Sequence, residues 1–432
     1  MTKKRYVQVG LGGRSRMFTE ALTERYPDTC ELVALCDVNQ GRMDFVNKNL
    51  GDKGPLPTYK AQDFDRMIAE QKPQGVIVTT IDRTHCEYIC RAMELGCDVI
   101  SEKPMTVDAE SCRKIIKTTN KTGRSLRVTF NYRYSPPRSQ VKELIQNGAI
   151  GDVLSVDFTW LLDTRHGADY FRRWHRNRAN SGSLLVHKST HHFDLVNWWL
   201  ADVPEEVFCM GSRKFYTPQQ GDARGLKGRG ERCLNCPVAK KCNFFLDMAG
   251  NENLKATYLD NEKEDGYIRD KCVFGDGIDI WDTEVANVRY KGGALLSYML
   301  HNYSPYEGYR VAFNGTKGRI EHACCEKTYV NGDGTVPGEL QEHQTSVTLI
   351  PEFSRAQALE VRQGKGGHGG GDPVMLDDIF LVNPPADPLN RRATEKDGAY
   401  SILVGIAAYE SIDKNMPIRI PDLLGDVAQL LK

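Results

Sequence analysis

The chain has 432 residues, of which 40% are hydrophobic and 26% are charged, a composition typical of globular proteins. This length is too great for one hydrophobic core, so we expect two domains. The 57 basic and 57 acidic side chains balance, which argues against a surface that binds nucleic acid or anionic membranes.

The N-terminus begins with basic residues, as a signal peptide does. However, the apolar stretch that follows is short and ends at Gly12-Gly13-Arg14 without a cleavage-site pattern. No stretch reaches the length of a transmembrane helix. We therefore expect a cytoplasmic protein with no membrane partner.

Strands and helices alternate over the first part of the chain. Strands are predicted at 5–10, 31–37, 75–80, 98–101 and 125–130. Helices are predicted at 15–26, 63–70, 84–95 and 109–119. This alternation is typical of βαβ units, whose strands form a parallel sheet.

The first turn between strand and helix carries a glycine pattern, Gly10-Leu11-Gly12-Gly13-Arg14-Ser15. Gly10 permits the tight turn, Gly12 lets a pyrophosphate approach the backbone, and Ser15 is small enough for close packing of helix and strand. Asp37 ends the second strand, where a carboxylate binds the ribose hydroxyls of NAD and repels the 2′-phosphate of NADP. Together these features predict a Rossmann domain that binds NAD, at residues 1–130.

The pattern changes after this domain. Segment 153–162 alternates apolar and polar residues, as a half-buried antiparallel strand does. Similar runs occur at 285–291, 294–300, 309–313 and 345–350. We expect an α+β domain at 131–432 with a large open, mainly antiparallel sheet, a polar insertion at about 216–280 and a helix at about 399–414 that packs back on the Rossmann domain. An open sheet face favours a homo-oligomer, a dimer or tetramer.

Several short motifs, in order, resemble the Gfo/Idh/MocA family of sugar and polyol oxidoreductases. They include Thr80 with Asp82 and His85, then Glu102-Lys103-Pro104, Asn131-Tyr132-Arg133-Tyr134-Ser135-Pro136 and Gly315-Thr316-Lys317-Gly318-Arg319-Ile320-Glu321. The resemblance implies that Lys103 lies beside the nicotinamide and contacts the hydroxyl that is oxidised. A lysine held there and partly desolvated has a lowered pKa and can accept or relay the hydroxyl proton.

In that family an inward helix usually reads Gly-Gly-Gly-x-x-x-Asp-x-Gly-x-His. His191 matches the family histidine, the candidate general base, whereas His187 replaces the aspartate. Residues four apart share a helix face, so His187 and His191 are predicted to face one site, with Lys188 and His192 beside them. Two such histidines also suit a metal, but Lys188 would repel a cation, so we favour an acid–base role for this stretch.

Substrate contacts are expected from the second domain. The predicted residues combine aromatic faces with charged donors, which suits a carbohydrate: Arg133, Trp160, Tyr170, Arg173, Trp174, His175, Arg176, Lys188 and His192. Asn131 is expected at the cofactor. His368 lies in a glycine-rich run that equally suits a plain turn.

Four cysteines cluster in the insertion, as Cys233-x₂-Cys236-x₅-Cys242 followed by Cys272. Four thiolates can hold a structural Zn²⁺ that orders a polar segment, an iron–sulfur cluster uses the same ligands, and four unconnected thiols remain the simplest alternative. We expect a structural zinc site.

The sequence leaves three functions open. The first is an NAD-dependent dehydrogenase acting on a hydroxyl of a sugar, glycoside or cyclitol. The second is an NAD-dependent glycosidase or lyase that uses transient oxidation, elimination and re-reduction. The third is a regulatory protein that binds NAD and sugar without turnover. Lys103 and His191 argue against the third function, and accumulation of NADH separates the first from the second.

Overall fold

The computed structural model describes residues 2–328, 338 and 345–431. Its first sheet has six parallel strands in the order β3-β2-β1-β4-β5-β6. The strands are β1 (Lys4–Val9), β2 (Cys30–Asp37), β3 (Thr58–Lys60), β4 (Gly75–Val78), β5 (Asp98–Ser101) and β6 (Leu126–Val128). The central strand β4 is buried at every position, because helices cover both faces of a parallel sheet.

The helices that flank this sheet follow the predicted alternation. They are α1 (Ser15–Glu20), α2 (Gln40–Leu50), α3 (Phe64–Gln71), α4 (His85–Glu94) and α5 (Ala109–Thr122), and α6 (Pro136–Gln146) leads into the second domain. The first helix changes to a π-helical turn over Ala21–Arg25. This is the predicted Rossmann architecture, and the strand order reverses between β1 and β4, where such sheets bind ligands.

The second sheet has nine strands in the order β14-β13-β12-β11-β7-β10-β9-β8-β15. The strands are β7 (Val153–Asp163), β8 (Pro204–Ser212), β9 (Thr283–Tyr290), β10 (Leu295–Ser304), β11 (Tyr306–Gly315), β12 (Gly318–Thr328), β13 (Thr345–Pro351), β14 (Gln357–Leu359) and β15 (Ile418–Arg419). β7 and β10 pair in parallel and the other neighbours pair antiparallel. Buried residues alternate with more exposed ones along β10, which confirms the predicted open sheet.

One face of this sheet is covered by short helices. They are α7 (Thr164–Arg172), α8 (Arg178–Ser181), α9 (Leu184–His187) and α10 (Thr190–Leu200). The prediction of one continuous helix through His187 and His191 is wrong, because α9 ends at His187 and α10 begins at Thr190. The insertion also contains short helices, α11 (Pro218–Ala223), α12 (Glu252–Thr257) and α13 (Glu262–Asp265).

The last helices connect the two domains. They are α14 (Gly367–Phe380), α15 (Glu395–Lys414) and α16 (Ile420–Leu424). Phe380 packs edge-on against Tyr6 of the Rossmann sheet at 5.5 Å between ring centroids. Val128 donates its N–H to the carbonyl of Ala393, just before α15. Among the described residues, no helix is long and apolar enough to cross a bilayer.

Candidate functional site

A cavity of about 620 Å³ lies at the carboxyl edge of the parallel sheet. It extends from the glycine turn after β1 to Lys103 and His191. Gly10 has φ +84°, and a Cβ there would lie 2.6 Å from Thr80 Cα, so this turn requires glycine. Gly12 and Gly13 have no side chain, as close approach of a pyrophosphate requires, and the Tyr258 hydroxyl faces the turn at this point.

Asp37 stands at the far end of this cavity. Its carboxylate accepts N–H groups from Leu11 at 2.6 Å and Asn39 at 2.8 Å, and it pairs with Arg42 at 3.4 Å. Burial raises the pKa of Asp37, while Arg42 and the two N–H groups oppose that rise. Arg42 also pairs with Asp265 of the insertion at 2.6 Å, so two carboxylates neutralise its charge. The glycine turn, the acid that ends β2 and the cavity between them fit a dinucleotide.

Lys103 lies at the other end of the cavity, after β5. Its Nζ donates to the carbonyl of His187 at 3.0 Å. Burial lowers the pKa of Lys103 to about 8, against the opposing effect of Asp82 and Glu102. Glu102 is itself held by Arg14, whose Nε donates to it at 2.7 Å. This amine therefore loses its proton more readily than an exposed lysine.

His187 and His191 both line the cavity although they lie on different helices. His187 Nδ1 is hydrogen-bonded to Asp82 Oδ2 at 2.6 Å, so a carboxylate from the Rossmann domain orients this ring. The ring of His191 stacks on Tyr132 at 4.2 Å. His191 Nδ1 is buried and has no hydrogen-bond partner among the described residues. Burial lowers the pKa of both histidines well below the ordinary value, with Lys103 adding to the effect.

Asp372 was not predicted as a site residue, yet it connects the two halves of the site. It accepts from Asn131 Nδ2 at 2.6 Å and from Arg14 at 3.3 Å, and it binds His368 Nδ1 at 2.8 Å. Burial raises the pKa of Asp372, but these partners more than reverse that effect and hold it below its usual range. The glycine-rich start of α14 brings the carboxylate to this position.

A second, larger cavity of about 1650 Å³ adjoins the first. His166, Lys188 and His368 line both cavities. His166, another residue that the sequence did not reveal, contacts Glu307 at 3.0 Å and the Tyr170 hydroxyl at 2.9 Å. Lys188 donates to the Tyr132 hydroxyl at 3.1 Å. The insertion supplies much of the far wall, including Phe244, Phe245 and Asn251.

Most predicted site residues line the smaller cavity. They are Gly10, Gly12, Gly13, Arg14, Asp37, Thr80, Asp82, His85, Glu102, Lys103, Asn131, Tyr170, Arg173, Trp174, His175, His187, Lys188 and His191. Ser15 lies behind the turn, where its hydroxyl donates to the carbonyl of Gly12 at 2.7 Å. Ser15 therefore supports the turn and does not line the cavity at which it was predicted.

Four predicted substrate residues lie away from both cavities, and this corrects their assignment. Arg133 is buried in a pair with Asp194. Trp160 is stacked between His192 at 4.1 Å and Tyr309 at 4.8 Å, and His192 is also hydrogen-bonded to Tyr298 at 2.6 Å. Arg176 donates to backbone carbonyls of the insertion. All four side chains are buried in the protein core. Trp160 Nε1 and His192 Nε2 have no hydrogen-bond partner there among the described residues.

The four cysteines of the insertion are among the residues that line one small cavity of about 20 Å³. Cys236 Sγ accepts the N–H of Gly230 at 3.3 Å and Cys233 Sγ accepts that of Leu246 at 3.4 Å. An antiparallel bridge between Arg232 and Lys271 brings the two halves of the cluster together. Within the described ranges, no three His, Cys, Asp or Glu side chains have the arrangement of a metal site. A structural zinc at Cys233, Cys236, Cys242 and Cys272 therefore stays a prediction.

Comparisons with known proteins match both domains. A model for the oxidoreductase family NAD-binding Rossmann fold matches residues 4–130, and a model for the oxidoreductase family C-terminal alpha/beta domain matches 142–420. The chain is 39% identical to YteT of Bacillus subtilis, named as an oxidoreductase, over 97% of this chain and 98% of the relative. It is 26% identical to glycosyl hydrolase family 109 protein 1 of Akkermansia muciniphila, over 98% of this chain and 82% of that protein.

A solved structure shows the same fold. The complex of levoglucosan dehydrogenase with NADH and levoglucosan has a TM-score of 0.66 at 17% identity, covering 97% of this chain and 100% of the other. The two family models, the extent of the YteT match and the cofactor cavity agree. The chain therefore belongs to the Gfo/Idh/MocA family of NAD(P)-binding oxidoreductases.

Proposed function

We propose that this protein is an NAD-dependent dehydrogenase that oxidises a hydroxyl of a sugar, glycoside or cyclitol. The main support is the position of Lys103 in the cofactor cavity. Its amine has a pKa of about 8 and donates to the carbonyl of His187. Lys188 and His166 line both cavities, so the substrate cavity opens next to this amine. A proton acceptor beside the cofactor is what oxidation of a hydroxyl needs.

Each residue of the site has a proposed role. Bound NAD would accept a hydride from the hydroxyl-bearing carbon. Lys103 accepts or relays the hydroxyl proton, and the neutral ring of His191 offers a second acceptor. Asp82 orients His187, whose backbone carbonyl in turn holds the Lys103 amine. The aspartate that the family carries at position 187 is thus replaced by a His–Asp pair built across the two domains.

The charges around the ribose end favour NAD over NADP. Asp37 occupies the position from which a carboxylate repels a 2′-phosphate. Arg42 would attract that phosphate if its charge were free, but Asp37 and Asp265 neutralise it.

The larger cavity favours a substrate bigger than a single sugar ring. Its volume of about 1650 Å³ exceeds that of ordinary small-molecule pockets, roughly 300–1,000 Å³. Phe244 and Phe245 line it beside polar residues such as Asn251, a combination that suits the C–H faces and hydroxyls of a glycoside. We therefore place a glycoside ahead of a free monosaccharide or cyclitol.

We also propose that the protein forms a homo-oligomer through the second sheet. Leu154 of β7, Met210 of β8 and Leu295 of β10 are each more than half exposed. Their strands belong to one contiguous part of the sheet, in the order β7-β10-β9-β8. Exposed apolar side chains on a sheet commonly meet a second copy of the chain.

A redox-assisted glycosidase is the second candidate function. It is supported by the match to a glycosyl hydrolase family 109 protein, which spans nearly all of this chain. The same residues would serve, with Lys103 and His191 first removing and then returning protons. In this cycle the cofactor is reduced and reoxidised within one turnover, so no NADH accumulates.

The test is the absorbance of NADH while purified protein and NAD meet a panel of sugars, glycosides and inositols, with products analysed in parallel. NADH formed in proportion to a keto product is the expected result. Cleaved glycoside without NADH would select the second function.

The test variant is Lys103→Met. Its matched control is Lys121→Met, on the exposed surface of α5. We expect Lys103→Met to bind NADH yet lose turnover, and Lys121→Met to retain it. Normal turnover in Lys103→Met would contradict both catalytic functions.

A further inference from the structure

The insertion after β8 reaches across the domain boundary to the cofactor cavity. Tyr258, Asp265 and Tyr267 line that cavity together with the glycine turn. The Tyr258 hydroxyl accepts the N–H of Gly13 at 2.9 Å. Because this oxygen is the acceptor, its own proton remains available to a pyrophosphate oxygen at the turn.

Several contacts fix the same segment to α2 of the Rossmann domain. Asn39 Nδ2 donates to the carbonyl of Asn261 at 3.0 Å. Arg42 Nε donates to the carbonyl of Thr257 at 3.4 Å. A Cβ at Gly41 would lie 1.8 Å from Asn261 Oδ1, so a larger residue here would displace the Asn261 side chain. The segment is therefore docked closely and is not a loop that merely passes by.

The base of the segment is anchored as well. Arg232, in the four-cysteine region, pairs with Glu262 and with Asp270. Arg42 lies 5.6 Å from the centroid of the Tyr258 ring and pairs with Asp265 at 2.6 Å. One arginine of the Rossmann domain is thus held by two residues of the insertion.

We propose that residues 257–265 form a cofactor clamp in which Tyr258 retains the dinucleotide at its pyrophosphate and Asp265 selects NAD by neutralising Arg42. The clamp completes the cofactor site that the Rossmann domain begins. The clamp acts on the cofactor, and its role does not depend on which sugar the enzyme oxidises. A cofactor held in this way dissociates slowly between turnovers.

Two conservative variants test the clamp without any sugar. Tyr258→Phe keeps the ring and removes the hydroxyl, and we expect NADH to dissociate about fivefold faster when displaced by excess NAD in stopped-flow fluorescence. Asp265→Asn removes the closer of the two carboxylates that pair with Arg42 and leaves Asp37 at 3.4 Å. We expect the ratio of the Kd for NADPH to the Kd for NADH to fall about tenfold.

The matched control is Glu264→Gln, because Glu264 lies on the same segment but pairs with Lys60 outside the cavity. It should leave both quantities at the wild-type value. Equal or slower release of NADH from Tyr258→Phe would overturn retention by Tyr258, since the hydroxyl would then be neutral or an obstacle to the pyrophosphate. An unchanged NADPH preference in Asp265→Asn would overturn the role of Asp265.

Discussion

At the scale of single residues, Lys103 in the smaller cavity sets the pH dependence of the reaction. Burial lowers the pKa of Lys103 to about 8, and only the neutral amine accepts a proton. We therefore expect kcat/KM for oxidation to rise with pH, with an inflection near 8, and to level off above it. The measurement is the initial rate of NADH formation between pH 6 and 10. Lys103→Met should lower kcat by about 10²–10⁴-fold and lose the inflection; an inflection that persists in this variant would assign it to another group.

Residues that line the smaller cavity could be predicted from the sequence where they lie in a local motif at a strand end. The Gly10 turn and Asp37 depend on neighbours within their own βα units. Arg133 and His192 were misplaced, because only distant partners decide whether a polar side chain turns to a cavity or to the core. Those partners are Asp194 for Arg133, 61 positions away, and Tyr298 for His192, 106 positions away.

At the scale of elements, the insertion was recognised from its composition but its role was not. Its polar, weakly periodic sequence indicates a loop, whereas its contacts with the Rossmann domain span more than 200 positions. No local pattern encodes such contacts. The prediction of one helix through His187 and His191 was wrong although it used a local pattern. A turn at Lys188 and Ser189 separates two short helices there.

The cysteine cluster gives a prediction at this scale. The cavity that the four cysteines help to line has room for one ion, since about 10–15 Å³ suffices for a water molecule. We expect about one zinc per chain by elemental analysis of protein purified without chelator. Cys272→Ser should lose that metal and lower the affinity for NADH, because the cluster anchors the clamp, whereas Cys325→Ser on β12 should do neither. Metal-free wild-type protein with all four thiols reactive would contradict the zinc site.

At the scale of the whole molecule, one buried cluster joins three parts of the chain. Arg133 follows the Rossmann domain and donates to Asp194 of α10 at 2.5 and 2.8 Å and to Asp397 of α15 at 2.8 Å. The predicted two-domain fold is present. The sequence also predicted a helix at about 399–414 that packs back on the Rossmann domain, but it did not reveal the ion pairs that join Arg133 to Asp194 and Asp397.

This cluster should matter more for stability than surface pairs do. We expect Asp194→Asn to cost about 3–5 kcal/mol of unfolding free energy, because it leaves the Arg133 charge buried with less compensation. Glu143→Gln, which removes the partner of the exposed Arg362, should cost at most about 1 kcal/mol. Denaturant titration compares the two variants. Equal costs would show that Asp397 alone suffices for Arg133.

The clamp also has a consequence for how the enzyme is made. Residues 4–130 emerge first from the ribosome, and at ~5–20 residues per second the segment 257–265 follows roughly 6–27 s later. Asp372, which holds Arg14 and Asn131, follows later still. The nascent Rossmann domain therefore presents an open dinucleotide site that the later chain closes. We therefore expect the cofactor to become tightly bound only at the end of synthesis, after the C-terminal half has folded back.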